Sequence, residues 1–310
     1  MRLIFAGTPD VAIPSLEALI DAGHEIALVV TQPDARGKRG SALHPSPVKV
    51  RAEHLGLDVA TPSKASDPDF VERVRALDAD AAAVVAYGQI LRPALLAATR
   101  LGWVNLHFSV LPAWRGAAPV QRAIQAGDDV TGASTFLIEE GLDTGPVIGQ
   151  ATERIRPTDT AGDLLARLAV VGAPLLKDSL EALGGGYASP VAQPEDGVSH
   201  AAKLSREDAL IRWDLPAHVI DRAIRACTPA PGAWTTLPDG STAKIGPVTE
   251  VAGHGTTPGL LKSEEDGVTV GTGTAPVKLS WIQPAGKSAM DAGDWWRGAR
   301  WGTGAQLGEA

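Results

Sequence analysis

In the first hundred residues, short apolar runs alternate with segments of helical period, and no other feature restricts the fold as much. Residues 2–7, Arg-Leu-Ile-Phe-Ala-Gly, read as a buried strand, closed by Gly7-Thr8-Pro9 and followed by an amphipathic stretch over residues 11–22. Residues 25–31 make a second strand, Val59 sits in a third, and residues 79–87 form a fourth. Strands that alternate with helices build βαβ units, and these give a mostly parallel sheet covered on both faces. Gly7-Thr8-Pro9 lacks the spacing of a dinucleotide fingerprint and reads as a tight strand-to-helix turn, which argues against a nicotinamide dehydrogenase.

A second strand pattern carries chemistry. Val104, Leu106 and Phe108 alternate with Asn105 and His107, so the period of two turns an amide and an imidazole to one face. Pro112 then forces a turn. Asp143 follows in the Gly-flanked loop Gly141-Leu142-Asp143-Thr144-Gly145 and is the candidate partner for polar groups half-buried on that face. Asn, His and Asp without a nearby cysteine suit acyl-type transfer through a tetrahedral intermediate. Asn105 would stabilise the oxyanion, and His107, made more basic by Asp143, would move protons. Ser109 has no nucleophile-elbow setting, and one His, one Asp and an amide make a poor metal shell, so no metal is expected. On the residues alone, a catalytic His107 and a satisfied core histidine both remain open.

At 310 residues the chain can bury two cores, and its 44% hydrophobic and 21% charged content is that of a soluble globular protein. No apolar run approaches the roughly 20 residues of a membrane span, and the first residues lead straight into a strand, so neither a membrane segment nor a signal peptide is expected. Cys227 is the single cysteine, which fits a reducing cytoplasm. The net charge of −8 argues against indiscriminate nucleic-acid binding. Residues 31–54 depart from that average: five Lys/Arg against two Asp/Glu leave +3, and Arg36-Gly37-Lys38-Arg39-Gly40 lies in a Gly- and Pro-rich loop.

Downstream, residues 161–183 have helical periodicity, ended by Gly184-Gly185-Gly186. Residues 187–203 carry Pro190, Pro194 and Gly197 and read as a linker. After a helical stretch at 216–227, five short strands at 234–237, 242–251, 259–262, 267–271 and 277–282 suggest a small OB-like β-barrel. Residues 204–310 hold ten basic and twelve acidic side chains, so this part is no general polyanion clamp, and a purely RNA-binding module is disfavoured. Trp281, Trp295, Trp296 and Trp301 read as packing anchors before stacking platforms. The division expected is 1–186 Rossmann-like, 187–203 linker and 204–310 OB-like, with all catalytic motifs upstream of Gly186.

Several motifs together resemble a known family: Asn105-x-His107-x-Ser109-x-x-Pro112, Arg115-Gly116-Ala117-Ala118-Pro119 and Leu142-Asp143-Thr144-Gly145. Supporting segments are Phe5-Ala6-Gly7-Thr8-Pro9, Pro45-Ser46-Pro47-Val48-Lys49, Ala86-Tyr87-Gly88-Gln89-Ile90-Leu91 and Asp294-Trp295-Trp296-Arg297-Gly298. The chain resembles the 10-formyltetrahydrofolate-dependent formyltransferases and, over nearly its whole length, the methionyl-tRNA formyltransferase family. The resemblance implies catalytic roles for Asn105, His107 and Asp143. It implies a folate-contact segment at Ser109, Val110, Leu111 and Pro112, with valine where the family has leucine. It further implies a tRNA-contacting loop at Arg36, Lys38 and Arg39, 10-formyltetrahydrofolate as co-substrate, initiator methionyl-tRNA as partner, and a cytoplasmic monomer working in translation initiation. A formyltransferase acting on a small amine, such as a sugar or purine-pathway nucleotide, is the nearest alternative, with no clear use for the basic loop or the tail.

Overall fold

The protein is described by a computed structural model covering residues 1–36, 42–253, 257–265 and 267–308. It divides into two compact units: residues 1–119, 130–154 and 165–200, and residues 120–129, 155–164 and 201–310.

The first unit is built on β1 (Arg2–Gly7), α1 (Ile13–Asp21) and β2 (Glu25–Val30), then a small antiparallel ladder of β3 (Ala35–Arg36) with β4 (Leu43–His44). It continues through α2 (Pro47–His54), β5 (Val59–Ala60), α3 (Pro68–Ala76), β6 (Ala81–Val85), α4 (Pro93–Leu96) and β7 (Trp103–His107). After α5 (Pro119–Ala126), which belongs to the second unit from residue 120 on, come β8 (Val130–Leu137), β9 (Val147–Arg154) and the long α6 (Ala161–Gly184), which belongs to the first unit from residue 165 on. One seven-stranded sheet runs in the order β5-β2-β1-β6-β7-β8-β9, parallel from β5 to β7 and antiparallel thereafter.

The central strands are apolar on both faces because both are covered: all five residues of β6 and the last five of β1 are buried. On one face, Ile4, Ala6, Val84 and Trp103 pack with Phe70, Val74 and Leu95 of the α3 and α4 layer. On the other, a Cβ at Gly172 of α6 would lie 2.8 Å from Leu106, and Ser179 of α6 meets Thr135 of β8 at 2.7 Å. Gly7 bears out the tight-turn reading, since a Cβ there would meet Ala12 and Phe5 at 2.9 Å.

The basic stretch contains more regular structure than its prolines suggest. Ser46 caps α2, its Oγ accepting from Lys49 N–H at 3.0 Å, and Pro47 occupies the first turn. Lys49 is paired with Asp34 at 2.8 Å and Arg51 with Glu17 at 2.7 Å, which takes two of the five positive charges. Arg36 is exposed on β3, whereas Lys38 and Arg39 lie outside the described residues.

Among the described residues of the second unit, the five expected strands become eight. β10 (Trp234–Thr236), β11 (Thr242–Ile245), β16 (Trp281–Pro284) and β17 (Met290–Asp291) form one antiparallel sheet, in the order β10-β11-β16-β17. β12 (Val248–Glu250), β13 (Leu261–Glu264), β14 (Gly267–Val270) and β15 (Val277–Leu279) form another, in the order β12-β15-β14-β13. Two of the expected strands are each cut by a corner, at Gly246-Pro247 and at Ser280, where the chain passes between the sheets. A Cβ at Gly246 would lie 2.3 Å from the Trp281 ring, so this corner admits glycine only. α7 (Ala217–Ala226) buries Ala217, Ile220 and Ile224, and α8 (Ala292–Ala299) buries Trp295, in a core with Ile245, Val270, Val277 and Ile282. Trp295 meets Trp296 and Trp301 with ring centroids at 6.2 and 5.1 Å, the packing role expected of them.

Candidate active site

β7 sets the first two side chains. Asn105 and His107 occupy alternate positions on one face, while Leu106 between them points to α6. Asn105 is half-buried, and among the described residues its side-chain amide has no hydrogen-bond partner. His107 is only 6% exposed and sets its ring edge-on to Phe136 of β8, centroids 6.5 Å apart.

The imidazole is anchored at one nitrogen. Nε2 lies 2.9 Å from the Trp114 carbonyl oxygen, and a carbonyl can only accept, so Nε2 carries the hydrogen. Nδ1 then bears the lone pair of the neutral ring and faces Asp143 Oδ2 at 3.7 Å. That is too long for a hydrogen bond and close enough for strong charge attraction once Nδ1 is protonated. Burial pushes the His107 pKa below the ordinary histidine value, and the opposing effects of the Asp143 charge and the Trp114 carbonyl are smaller. Asp143 does raise His107, as the sequence reading has it, yet desolvation outweighs that effect and the net shift is downward. A neutral imidazole with a free Nδ1 beside a carboxylate is suited to accept a proton.

Asp143 is held by the backbone around it. Its Oδ2 accepts from the Gly116 N–H at 2.7 Å. Its φ of 52° is left-handed, which costs a non-glycine residue roughly 1–2 kcal/mol, although Asp tolerates it better than most. The closing residue of the loop, Gly145, admits no side chain, because a Cβ would stand 1.8 Å from the Leu137 carbonyl oxygen.

The segment after β7 is rigid. Ser109 Oγ donates to the Ala113 carbonyl at 2.6 Å, so this hydroxyl is engaged in structure. Ser134 Oγ donates to the Ser109 carbonyl at 2.7 Å and accepts from the Leu111 N–H at 3.0 Å, and Gln150 donates to the Leu111 carbonyl at 2.7 Å. Ser109 and Leu111 are buried, which leaves Val110 and Pro112 as the accessible part of the segment. Arg36 lies on β3, away in sequence from this segment, and Lys38 and Arg39 fall outside the described residues.

Sequence reasoning passed over the supports. Residues 187–203 look like a spacer, yet Ser199 accepts from the Trp114 N–H through its Oγ at 2.8 Å and from the Arg115 N–H through its carbonyl at 2.9 Å. Gln193 bridges Arg115 to the Asp143 loop. Arg115-Gly116 was legible only as part of a motif, and nothing local singles out Gln193 or Ser199. Among the described residues no group of three or more His, Cys, Asp or Glu could hold a metal ion, and no helix is long and apolar enough to cross a membrane.

A family model described as formyl transferase matches residues 1–180, and one described as formyl transferase, C-terminal domain, matches residues 203–300. A methionyl-tRNA formyltransferase of Mycobacteroides abscessus is 54% identical over 300 residues, 97% of this chain and 97% of its own. One from Streptomyces coelicolor is 52% identical over 310 residues and covers 100% of both. Among solved structures, an N-formyltransferase from Helicobacter canadensis in complex with folinic acid and dTDP-3-aminofucose gives a TM-score of 0.66 at 19% identity. That match covers 92% of this chain and 99% of the other, and at such identity the likeness speaks for the fold. Matched from end to end at more than half identity, and by both family models, the chain belongs to the methionyl-tRNA formyltransferase family of formyl transferases.

Proposed function

We propose that the protein transfers the formyl group of 10-formyltetrahydrofolate to the α-amine of methionyl-tRNA through Asn105, His107 and Asp143. The observation that carries the residue roles is the buried His107, tied at Nε2 to Trp114 and open at Nδ1 toward Asp143, beside the Asn105 amide, which has no hydrogen-bond partner among the described residues. The amine, a fair share of which is unprotonated near neutral pH, attacks the formyl carbon. Asn105 donates to the oxygen that gains charge. The proton lost by the attacking nitrogen passes to His107 Nδ1, directly or through water, and Asp143 stabilises the imidazolium that forms. The carbon–nitrogen bond to tetrahydrofolate then breaks, and the leaving nitrogen takes up a proton. None of these steps uses a metal.

Folate lies against Ser109–Pro112 in this reading, chiefly on Val110 and Pro112. Arg36, Lys38 and Arg39 follow the phosphates of the tRNA, and residues 204–310 supply further tRNA surface while residues 1–186 carry the chemistry. In this reading the protein acts as a cytoplasmic monomer; Cys227, its single cysteine, is buried, and desolvation pushes its thiol up to about 11. The test is acceptor choice. Pure protein with 10-formyltetrahydrofolate should formylate methionyl-tRNA at a kcat/KM far above that for free methionine or an amino-sugar nucleotide. Equal or better use of the small amines would overturn the assignment.

A further inference from the structure

We infer that Gln193, in the segment between the two family-model matches, is a positioning residue that sets Asp143 against His107. The inference rests on the proposed catalytic role of Asp143. All four hydrogen-bonding positions of the Gln193 amide are used. Oε1 accepts from Arg115 Nε at 3.0 Å and from Arg115 Nη2 at 2.7 Å, and Nε2 donates to the carbonyls of Asp143 and Gly145, both at 2.8 Å. The orientation is therefore fixed. A flipped amide would set N–H groups against the guanidinium and an oxygen against two carbonyls.

The placement matters because of what Arg115 and Asp143 adjoin. Trp114, before Arg115, supplies the carbonyl that holds His107 Nε2, and Gly116, after it, donates to Asp143 Oδ2. Gln193 thus joins the two chain segments that fix the two sides of the His107–Asp143 pair. The Asp143 loop is otherwise tied by the Gly116 N–H on Asp143 Oδ2 and, at its base, by the Leu137 N–H on the Pro146 carbonyl at 3.0 Å. Glu139, Glu140, Gly141, Leu142 and Thr144 are exposed, and Asp143 itself sits at a left-handed φ of 52°. A loop without a buried apolar anchor depends on its hydrogen bonds, and Gln193 caps two of its carbonyls.

The test is a double-mutant cycle in the full-length protein, with formyl transfer to methionyl-tRNA as the readout. Gln193→Ala should lower kcat by about 10- to 10²-fold, the range expected when a catalytic group is displaced by about an ångström. KM for 10-formyltetrahydrofolate should change little. Gln193→Glu keeps the length and the oxygen for Arg115 but removes both N–H donors. It should behave like the alanine variant in kcat while retaining the fold, and so keeps the test decisive if Gln193→Ala is unstable. In an Asp143→Asn background either change should cost less than about threefold, because residues that act as a unit are not additive. Near-normal kcat in both Gln193 variants, or losses that multiply with Asp143→Asn, would overturn the positioning role alone. Near-normal kcat in Asp143→Asn by itself would overturn the catalytic reading beneath it as well.

Discussion

Two opposing effects act on the His107 ring. Burial lowers its pKa, while the Asp143 carboxylate at 3.7 Å works the other way. Asp143→Asn removes the raising charge, so the already lowered pKa should fall further. If His107 must be neutral to accept a proton, the acid limb of the kcat/KM profile then moves to lower pH. The plateau rate should fall as well, since the imidazolium formed in the transition state loses its counter-charge. A pH series of kcat/KM for wild type and Asp143→Asn checks this, and superimposable profiles would count against the pairing. Gly145→Ala makes a steric case at the same loop. Its Cβ would collide with the Leu137 carbonyl at 1.8 Å, so the loop must shift and carry Asp143 with it. A loss of kcat of at least about 10-fold is expected from such a displacement, measured by steady-state formyl transfer. Full activity in this variant would mean that the loop position is unimportant.

At the scale of elements, what could be read from the sequence follows from how local the determinants are. β1 and β6 were legible because strands buried on both faces are continuous apolar runs. β7 was legible because its two faces differ, so Val104 and Leu106 alternate with Asn105 and His107. The start of α2 was misjudged as loop: Pro45 and Pro47 look like breakers, yet Ser46 at the N-cap and Pro47 after it are helix-start signals. The cut strands of the second unit were read whole, because a corner such as Gly246 under Trp281 is set by a contact distant in sequence. The supports of the site were illegible for the same reason. Gln193 reaches Asp143 across 50 residues and Arg115 across 78, and no local pattern encodes a pairing over that span. A cut after Gly186, which leaves every proposed catalytic residue upstream, still discards Gln193 and Ser199 and should loosen the site.

For the molecule as a whole, charge and chemistry have to be joined to one substrate. A chain of net charge −8 repels RNA on average, so use of tRNA must rest on local positive charge. Lys49 and Arg51 are already paired with Asp34 and Glu17, so of the five positive charges at residues 31–54 the proposed tRNA contact uses Arg36, Lys38 and Arg39. Replacing these three by alanine should lower kcat/KM for methionyl-tRNA and flatten its dependence on salt, with folate binding nearly unchanged, because each lost phosphate contact releases fewer counterions. Identical salt slopes for variant and wild type would reduce the loop to a solvated surface. The most direct test of the account is single-turnover formyl transfer from 10-formyltetrahydrofolate to methionyl-tRNA by wild type, Asn105→Ala and His107→Ala, all shown to be folded by thermal unfolding. Wild type should form N-formylmethionyl-tRNA, and each variant should be slower by at least about 10²-fold, the share expected of an oxyanion donor or a proton acceptor. A folded His107→Ala protein that transfers formyl at near the wild-type rate would contradict it.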